Sequence, residues 1–170
     1  MKYKSQKGIT LIALTITLIV LSIIAGVVVY SGLDVVETAE IQTVNTNMLL
    51  IQIKCKTLSE KATFEKNDTL LKGTTLTSIM ETATGNEYNK VNDLINKGVI
   101  STTEEHYSKY YLLSNQDLTD MGLEDATVEN EYYIINYETE EVIFTKGVKK
   151  EENTYYKLSE LKDLSTTESI

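Results

Sequence analysis

From Ile9 to Tyr30 the chain carries no Asp, Glu, Lys, Arg, His, Asn, Gln or Pro, an apolar run of 22 residues. At ~1.5 Å of rise per residue the run makes roughly 33 Å of helix. The hydrocarbon core of a bilayer is about 30 Å thick. In lipid a backbone must satisfy its own hydrogen bonds, so the pattern predicts a membrane-spanning helix over 9–30. Thr10, Thr15, Thr17 and Ser22 fit it, because their hydroxyls can bond back one turn or across to a neighbouring helix. Ser22 and Gly26 also make a small-xxx-small pair that lets helices approach closely, although simple tolerance of small residues explains them equally well.

The period then changes. Ile41, Val44, Met48, Ile51, Cys55 and Leu58 recur at intervals of 3, 4, 3, 4 and 3, a heptad seam. Leu49, Leu50 and Ile53 widen the stripe, as expected where a helix packs on a folded domain. A helix from Ile9 to Glu60 would hold 52 residues and span roughly 78 Å. Its weak points are Gly26 and Ser31-Gly32, since glycine costs about 1 kcal/mol relative to alanine in a helix interior. With no proline in the chain, any kink is expected near Ser31-Gly32.

Residues 61–164 read as one outer domain with a single modest core. Lys61 to Thr84 reads as a connecting loop with one short helix at most. A helix capped by Asn86 is expected over Glu87–Lys97, ended by Gly98. A shorter one should open at Ser114 or Asn115 and stop at Gly122. Strands are signalled at Tyr110–Leu113, Tyr132–Tyr137 and Glu141–Thr145, with Tyr137–Glu140 as the turn between the last two. Tyr155–Leu158 adds an edge strand or leads into a final turn at Ser159–Leu164. Residues 165–170 form a loose tail. The fold class is α+β: a long N-terminal helix on a small antiparallel sheet.

Charge sets the orientation. Lys2, Lys4 and Lys7 precede the apolar run, while Asp34, Glu37 and Glu40 follow it. Positive residues stay in the cytoplasm, so the N-terminus is inside and everything after Tyr30 outside. A cleaved signal peptide is a poorer reading, because its apolar core is normally about 7–15 residues long. With 16 Lys and 25 Asp plus Glu the chain stands near −9. Such an acidic exterior argues against nucleic acid as a partner.

Candidate chemistry is sparse. Cys55 is the only cysteine and lies on the seam, so it reads as a small buried hydrophobe. His106 is the only histidine, beside Glu104-Glu105, and reads as a surface residue. Glu138, Glu140, Glu141, Glu151 and Glu152 read as solvated charge, with no spaced Asp/Asn loop for calcium. No metal, cofactor or catalytic constellation is expected, and the chain reads as a non-enzyme. Of its 11 tyrosines most cluster in the strand region. Their rings either pack inward or offer an adhesive, sugar-contacting face.

Lys7-Gly8-Ile9-Thr10-Leu11-Ile12, a basic leader and glycine joint set directly before an apolar span, resembles the type IV prepilins and pseudopilins. The resemblance implies a leader of residues 1–8 cut by a prepilin peptidase between Gly8 and Ile9, with Lys7, Gly8 and Ile9 as processing residues and Ile9 then methylated on its amino group. It implies a membrane part at 9–30, an amphipathic extension at 31–60 and the outer domain at 61–164. Thr10, Leu11, Ile12, Ala13, Thr17, Ser22 and Gly26 would belong to the assembly helix. The implied partners are other pilin subunits, an assembly ATPase and platform protein acting indirectly, and the membrane itself. The precursor would be a single-pass protein of the cytoplasmic membrane, and the mature subunit part of a surface filament. One departure stands out: Ala13 occupies the position where the family usually carries a glutamate, which fits a minor subunit better than a major one. The competing reading is a single-pass, membrane-anchored binding module that never assembles.

Overall fold

The computed structural model describes residues 7–101 and 107–167, with the side chains of Thr17, Leu18, Leu21, 38–101 and 107–164. Two compact units result, Met1–Ala39 and Glu40–Ile170. Helix α1, Lys7–Glu65, opens in the first unit and closes in the second. Its ends lie two and five residues outside the expected Ile9 and Glu60.

In the first unit the helix runs unbroken through Gly26 and Ser31-Gly32. Leu18 and Leu21 are exposed at 55% and 61%. Among the described residues no helix is long and apolar enough to cross a membrane. Apart from Thr17, Leu18 and Leu21, the side chains of the span expected at 9–30 lie outside the described residues.

The second unit is α+β, with a five-stranded antiparallel meander in the order β1-β2-β3-β4-β5. Its strands are β1 Thr74–Thr75, β2 Tyr110–Leu113, β3 Tyr133–Asn136, β4 Val142–Lys150 and β5 Asn153–Lys157. The helices after α1 are α2 Leu76–Thr82, α3 Gly85–Asn96, α4 Asn115–Asp120 and α5 Leu158–Thr167. Pleat alternation divides the strand residues between two cores. Leu113, Tyr133 and Phe144 stand across from one another and face α1, with α4 and α5 at the sides. Leu112, Ile134 and Ile143 form the matching row on the other face, under α2 and α3. Both faces of the sheet are covered, where one modest core was expected.

The seam packs as its spacing predicts. Met48, Ile51 and Cys55 are fully buried, Val44 nearly so, and Ile41, Leu49 and Leu58 are partly buried against the same core. Leu50 and Ile53, expected to widen that stripe, are instead 45% and 59% exposed. At about 100° per residue they fall on the side of α1 opposite the seam.

Local chemistry explains the other elements. The Ser114 hydroxyl accepts from Asp117 N–H and the Asp117 carboxylate accepts from Ser114 N–H, a capping box that opens α4. Gly122 and Gly98 stop their helices with φ of +71° and +72°. Asn86 does not cap α3; Thr84 holds that position, and the Asn86 amide donates to Asn130 O and Tyr132 Oη. In the β3–β4 turn the Asn136 carboxamide oxygen accepts from the N–H groups of Glu138 and Thr139.

Three features went unread in the sequence. The first is β1, inside the 61–84 segment expected as a loop; α2 is the short helix allowed there, and Thr75 caps it by accepting from Ser78 N–H. The second is the extension of β4 to Lys150, where the register with β5 shifts between Ile143 and Val148. Gly147 sits in that irregularity at φ +67°, and a Cβ there would stand 2.7 Å from Thr154 Cγ2 and 2.8 Å from Tyr156 Cε1. The third is the length of α5, expected as a final turn at Ser159–Leu164: it opens at Leu158, buries Leu158 and Leu161 and reaches Thr167, so the tail expected at 165–170 begins as helix.

Two contrasts test this architecture by denaturant unfolding of the detergent-solubilised chain. Ile51→Ala should cost about 2–5 kcal/mol, whereas Ile53→Ala should change stability by no more than about 0.5 kcal/mol. Equal effects at the two positions would refute the assigned helix facing. Gly147→Ala should cost about 1–3 kcal/mol, from left-handed strain and the contact with Tyr156.

Candidate assembly surface

Of the residues singled out for processing and assembly, Lys7, Gly8, Ile9, Thr10, Leu11, Ile12, Ala13, Thr17, Ser22 and Gly26 all belong to α1. The side chains of all but Thr17 lie outside the described residues, and Thr17 is exposed. The described part of the candidate surface is therefore Glu40 to Glu65, the portion of α1 in the second unit.

One side of this portion is held by the sheet. Beyond the apolar seam, the Gln52 amide donates to Glu140 O at 2.6 Å and accepts from Lys162 Nζ at 3.2 Å, which ties α1 to the β3–β4 turn and to α5. Lys56 pairs with the Glu140 carboxylate at 2.9 Å, and Lys146 with Glu40 at 2.8 Å. These pairs are half exposed and so orient the helix more than they stabilise it. No local pattern foretells them, because the partners lie 84 to 110 residues apart. β4 therefore runs antiparallel to α1, with Glu140 beside Gln52 and Lys56 and Lys146 beside Glu40.

The other side is apolar and uncovered. Thr46, Leu50, Ile53, Thr57 and Phe64 follow one another at spacings of three, four and seven, and all are exposed, Phe64 at 89%. The two threonine hydroxyls do not make the strip polar: Thr46 donates to Gln42 O at 2.8 Å and Thr57 to Ile53 O at 2.9 Å. Their hydrogens are spent within the helix, and the strip offers methyl and aromatic surface with those donors already met.

Beneath the seam sits Cys55, buried and free. Burial pushes its thiol up to about 11, with Tyr137 easing the shift through a hydrogen bond. The Tyr137 hydroxyl donates to Lys72 O and accepts from Lys72 N–H, both at 3.0 Å, and its ring meets Tyr111 edge-on at 5.1 Å. Burial, then the neighbouring thiol, drives that phenol far above its ordinary range. Tyr133 stacks on Phe144 at 4.7 Å; burial raises its phenol to about 12, eased only by Asn47, whose approach falls short of a hydrogen bond. A thiol in these surroundings packs as a small hydrophobe, as its seam position implies.

The remaining candidates do not converge. His106 lies outside the described residues. Among the described residues no group of three or more His, Cys, Asp or Glu could hold a metal ion. The tyrosines from Tyr88 onward are buried or half-buried and split between the two faces of the sheet. Tyr111, Tyr133, Tyr137 and Tyr155 lie on the α1 side, and Tyr88, Tyr107, Tyr110, Tyr132 and Tyr156 on the other. They serve packing, not a single exposed face.

The buried thiol and phenol make stability depend on pH in a defined direction. In the unfolded chain they ionise near 9.0 and 10.0, whereas in the fold they hold their protons up to about 11 and about 12. Stability should thus be full below about pH 9 and fall as pH rises, by about 1.4 kcal/mol per pH unit for each group in its own window. Cys55→Ala should remove the component that begins at pH 9 and keep the one that begins at pH 10. Unfolding curves at successive alkaline pH values check this, and a level stability from about pH 9 to 11 would contradict the burial of the thiol. The chain matches no family model, no curated protein and no solved structure.

Proposed function

We propose that this chain is the precursor of a filament subunit of the type IV pilin or pseudopilin kind, anchored by residues 9–30 and assembled through α1. The supporting observation is the two-sidedness of Glu40–Glu65: one side is spent on the domain's own core, while the opposite side keeps Leu50, Ile53 and Phe64 in the open with its threonine hydroxyls already satisfied. Exposed apolar residues at helical spacing are what a neighbouring helix needs, since burying them removes surface from water without stranding a donor. The apolar run 9–30 supplies the same logic in lipid before assembly.

In this reading a prepilin peptidase cuts after Gly8 on the cytoplasmic side and Ile9 becomes the methylated N-terminus. The absence of a carboxylate at Ala13 removes the ordinary partner for that amino group, which suits a subunit placed at a filament end or in low number. An assembly ATPase and a membrane platform would supply the extraction work. The subunit's contribution is mechanical: helices hold the fibre and the sheet domain forms its surface.

Co-expression with a prepilin peptidase tests the processing step. Intact-mass spectrometry should show loss of residues 1–8, and Gly8→Leu should abolish that loss. An uncut chain in a competent host would favour the anchored binding module instead. For assembly, the double change Leu50→Lys and Ile53→Lys should leave the unfolding midpoint within about 0.5 kcal/mol of the parent and keep cleavage intact, yet abolish incorporation into sheared surface fibres scored by immunoblot. Normal incorporation of that variant would remove the assembly role from this face.

A further inference from the structure

A cleft of about 270 Å³ opens between α2, the start of α3 and the end of β2, on the side of the sheet away from α1. Its floor is apolar, made by the buried Ile79 and Leu112. Its rim is polar, with Thr74, Ser78, Thr82, Thr84, Glu87 and Ser114 around the opening. Nothing in the proposed assembly role uses these residues.

The hydrogen bonds on the rim limit what could enter. Thr82 Oγ1 donates its hydrogen to Ile79 O at 2.7 Å, and Thr84 Oγ1 donates to Thr82 O at 3.3 Å. With its hydrogen spent in this way, each hydroxyl keeps lone pairs that can accept. Glu87 has no ion pair or hydrogen bond among the described residues, and its carboxylate folds back over Gly85, where a Cβ would lie 3.4 Å from Oε2. Thr74 pairs with Leu112 through its backbone, while its hydroxyl has no partner among the described residues and keeps a hydrogen to donate. The Ser78 and Ser114 hydroxyls, which also line the cleft, are engaged with Thr75 Oγ1 and with Asp117, so the rim offers three acceptors, one of them charged, and one free donor, above an apolar floor.

We infer that this cleft binds a single pyranose ring of a carbohydrate. A sugar brings several O–H donors at its edge for the Thr82, Thr84 and Glu87 oxygens, and its hydroxyls can accept from Thr74. Its C–H face has a place against Ile79 and Leu112. An O–H···carboxylate bond is charge-assisted and about twice as strong as a neutral one, which gives Glu87 the leading part. A bare cation is a poorer match: the cleft holds one carboxylate, and the Ile79 and Leu112 side chains of its floor cannot coordinate. The volume lies just under the range of about 300–1,000 Å³ for drug-sized ligands, so it suits one ring and not an extended chain. Affinity for a lone monosaccharide is then of millimolar order. In a filament, many copies of such a weak site would act together on a polysaccharide surface. That last consequence rests on the proposed function, whereas the binding itself is a property of one subunit.

The test uses the full chain in a phosphocholine detergent, because sugar-headed detergents would compete for the site. Backbone amide NMR is recorded while glucose, galactose, N-acetylglucosamine and, separately, butylamine are added up to tens of millimolar. The expected result is saturable movement of the Thr82, Thr84 and Glu87 amides with at least one sugar. Glu87→Gln should weaken that binding about tenfold or more, Thr82→Val measurably, and the remote Glu129→Gln not at all, with unfolding midpoints of all three unchanged. No saturable movement with any of the sugars would overturn the assignment. Movement with butylamine alone would overturn it in favour of an ammonium site, and sugar binding indifferent to both Glu87→Gln and Thr82→Val would overturn it by placing the site elsewhere. Peptidase cleavage and fibre incorporation are read separately, so failure here leaves the assembly reading standing, and the reverse.

Discussion

The contact on which the second unit depends is the meeting of Val44, Met48, Ile51 and Cys55 with the sheet row Leu113, Tyr133 and Phe144. Each partner is incomplete alone. A helix with one apolar stripe has nowhere to put it, and a five-stranded meander with an apolar face cannot leave that face in water. Tyr133 and Phe144 stack on the strand side and are almost completely buried. Everything else on that face is arranged about this contact: α4 and α5 close its edges through Leu118, Leu158 and Leu161.

The second face of the sheet solves a different problem. Because β2, β3 and β4 carry apolar residues at successive positions, alternation leaves Leu112, Ile134 and Ile143 on the side away from α1. α2 and α3 cover them with Leu76, Ile79, Val91 and Leu94. Polar ties at its border, such as Lys90 to Glu131 and Glu131 to Thr145, fix α3 against the strands. The pyranose cleft arises where this covering layer stops short, between the end of α2 and the start of α3. A domain with both sheet faces closed has only its helix backs, rims and clefts left for partners.

α1 meets that limitation with its own two sides. Its seam belongs to the fold, so a change there acts on stability. Its outer strip is exposed and lies outside both cores, so a change there can act on association with little effect on stability. Leu50 and Ile51 are adjacent in sequence and about 100° apart on the helix, which is enough to separate the two roles completely.

Short-range periodicity and local hydrogen bonding are written into the order of residues. The seam of α1, the position of β2, the opening of α4 at Ser114 and the stops at Gly98 and Gly122 follow from spacing and from caps formed within a few residues. The apolar run 9–30 and the leader resemblance are likewise legible in the chain alone, as properties of composition and order. The remaining features depend on partners far apart along the chain. The seam's spacing was right, but its width was not: helix geometry already sets Leu50 and Ile53 opposite the seam, and the packing shows that the sheet covers the seam side and leaves theirs exposed. Asn86 looks like a cap until Asn130 and Tyr132 are beside it. Gln52 and Glu140 meet across 88 residues, and the Ile79–Leu112 floor of the cleft joins a helix to a strand. Periodicity tells a residue which side of its own element it occupies, but what stands on that side is set by how the elements pack.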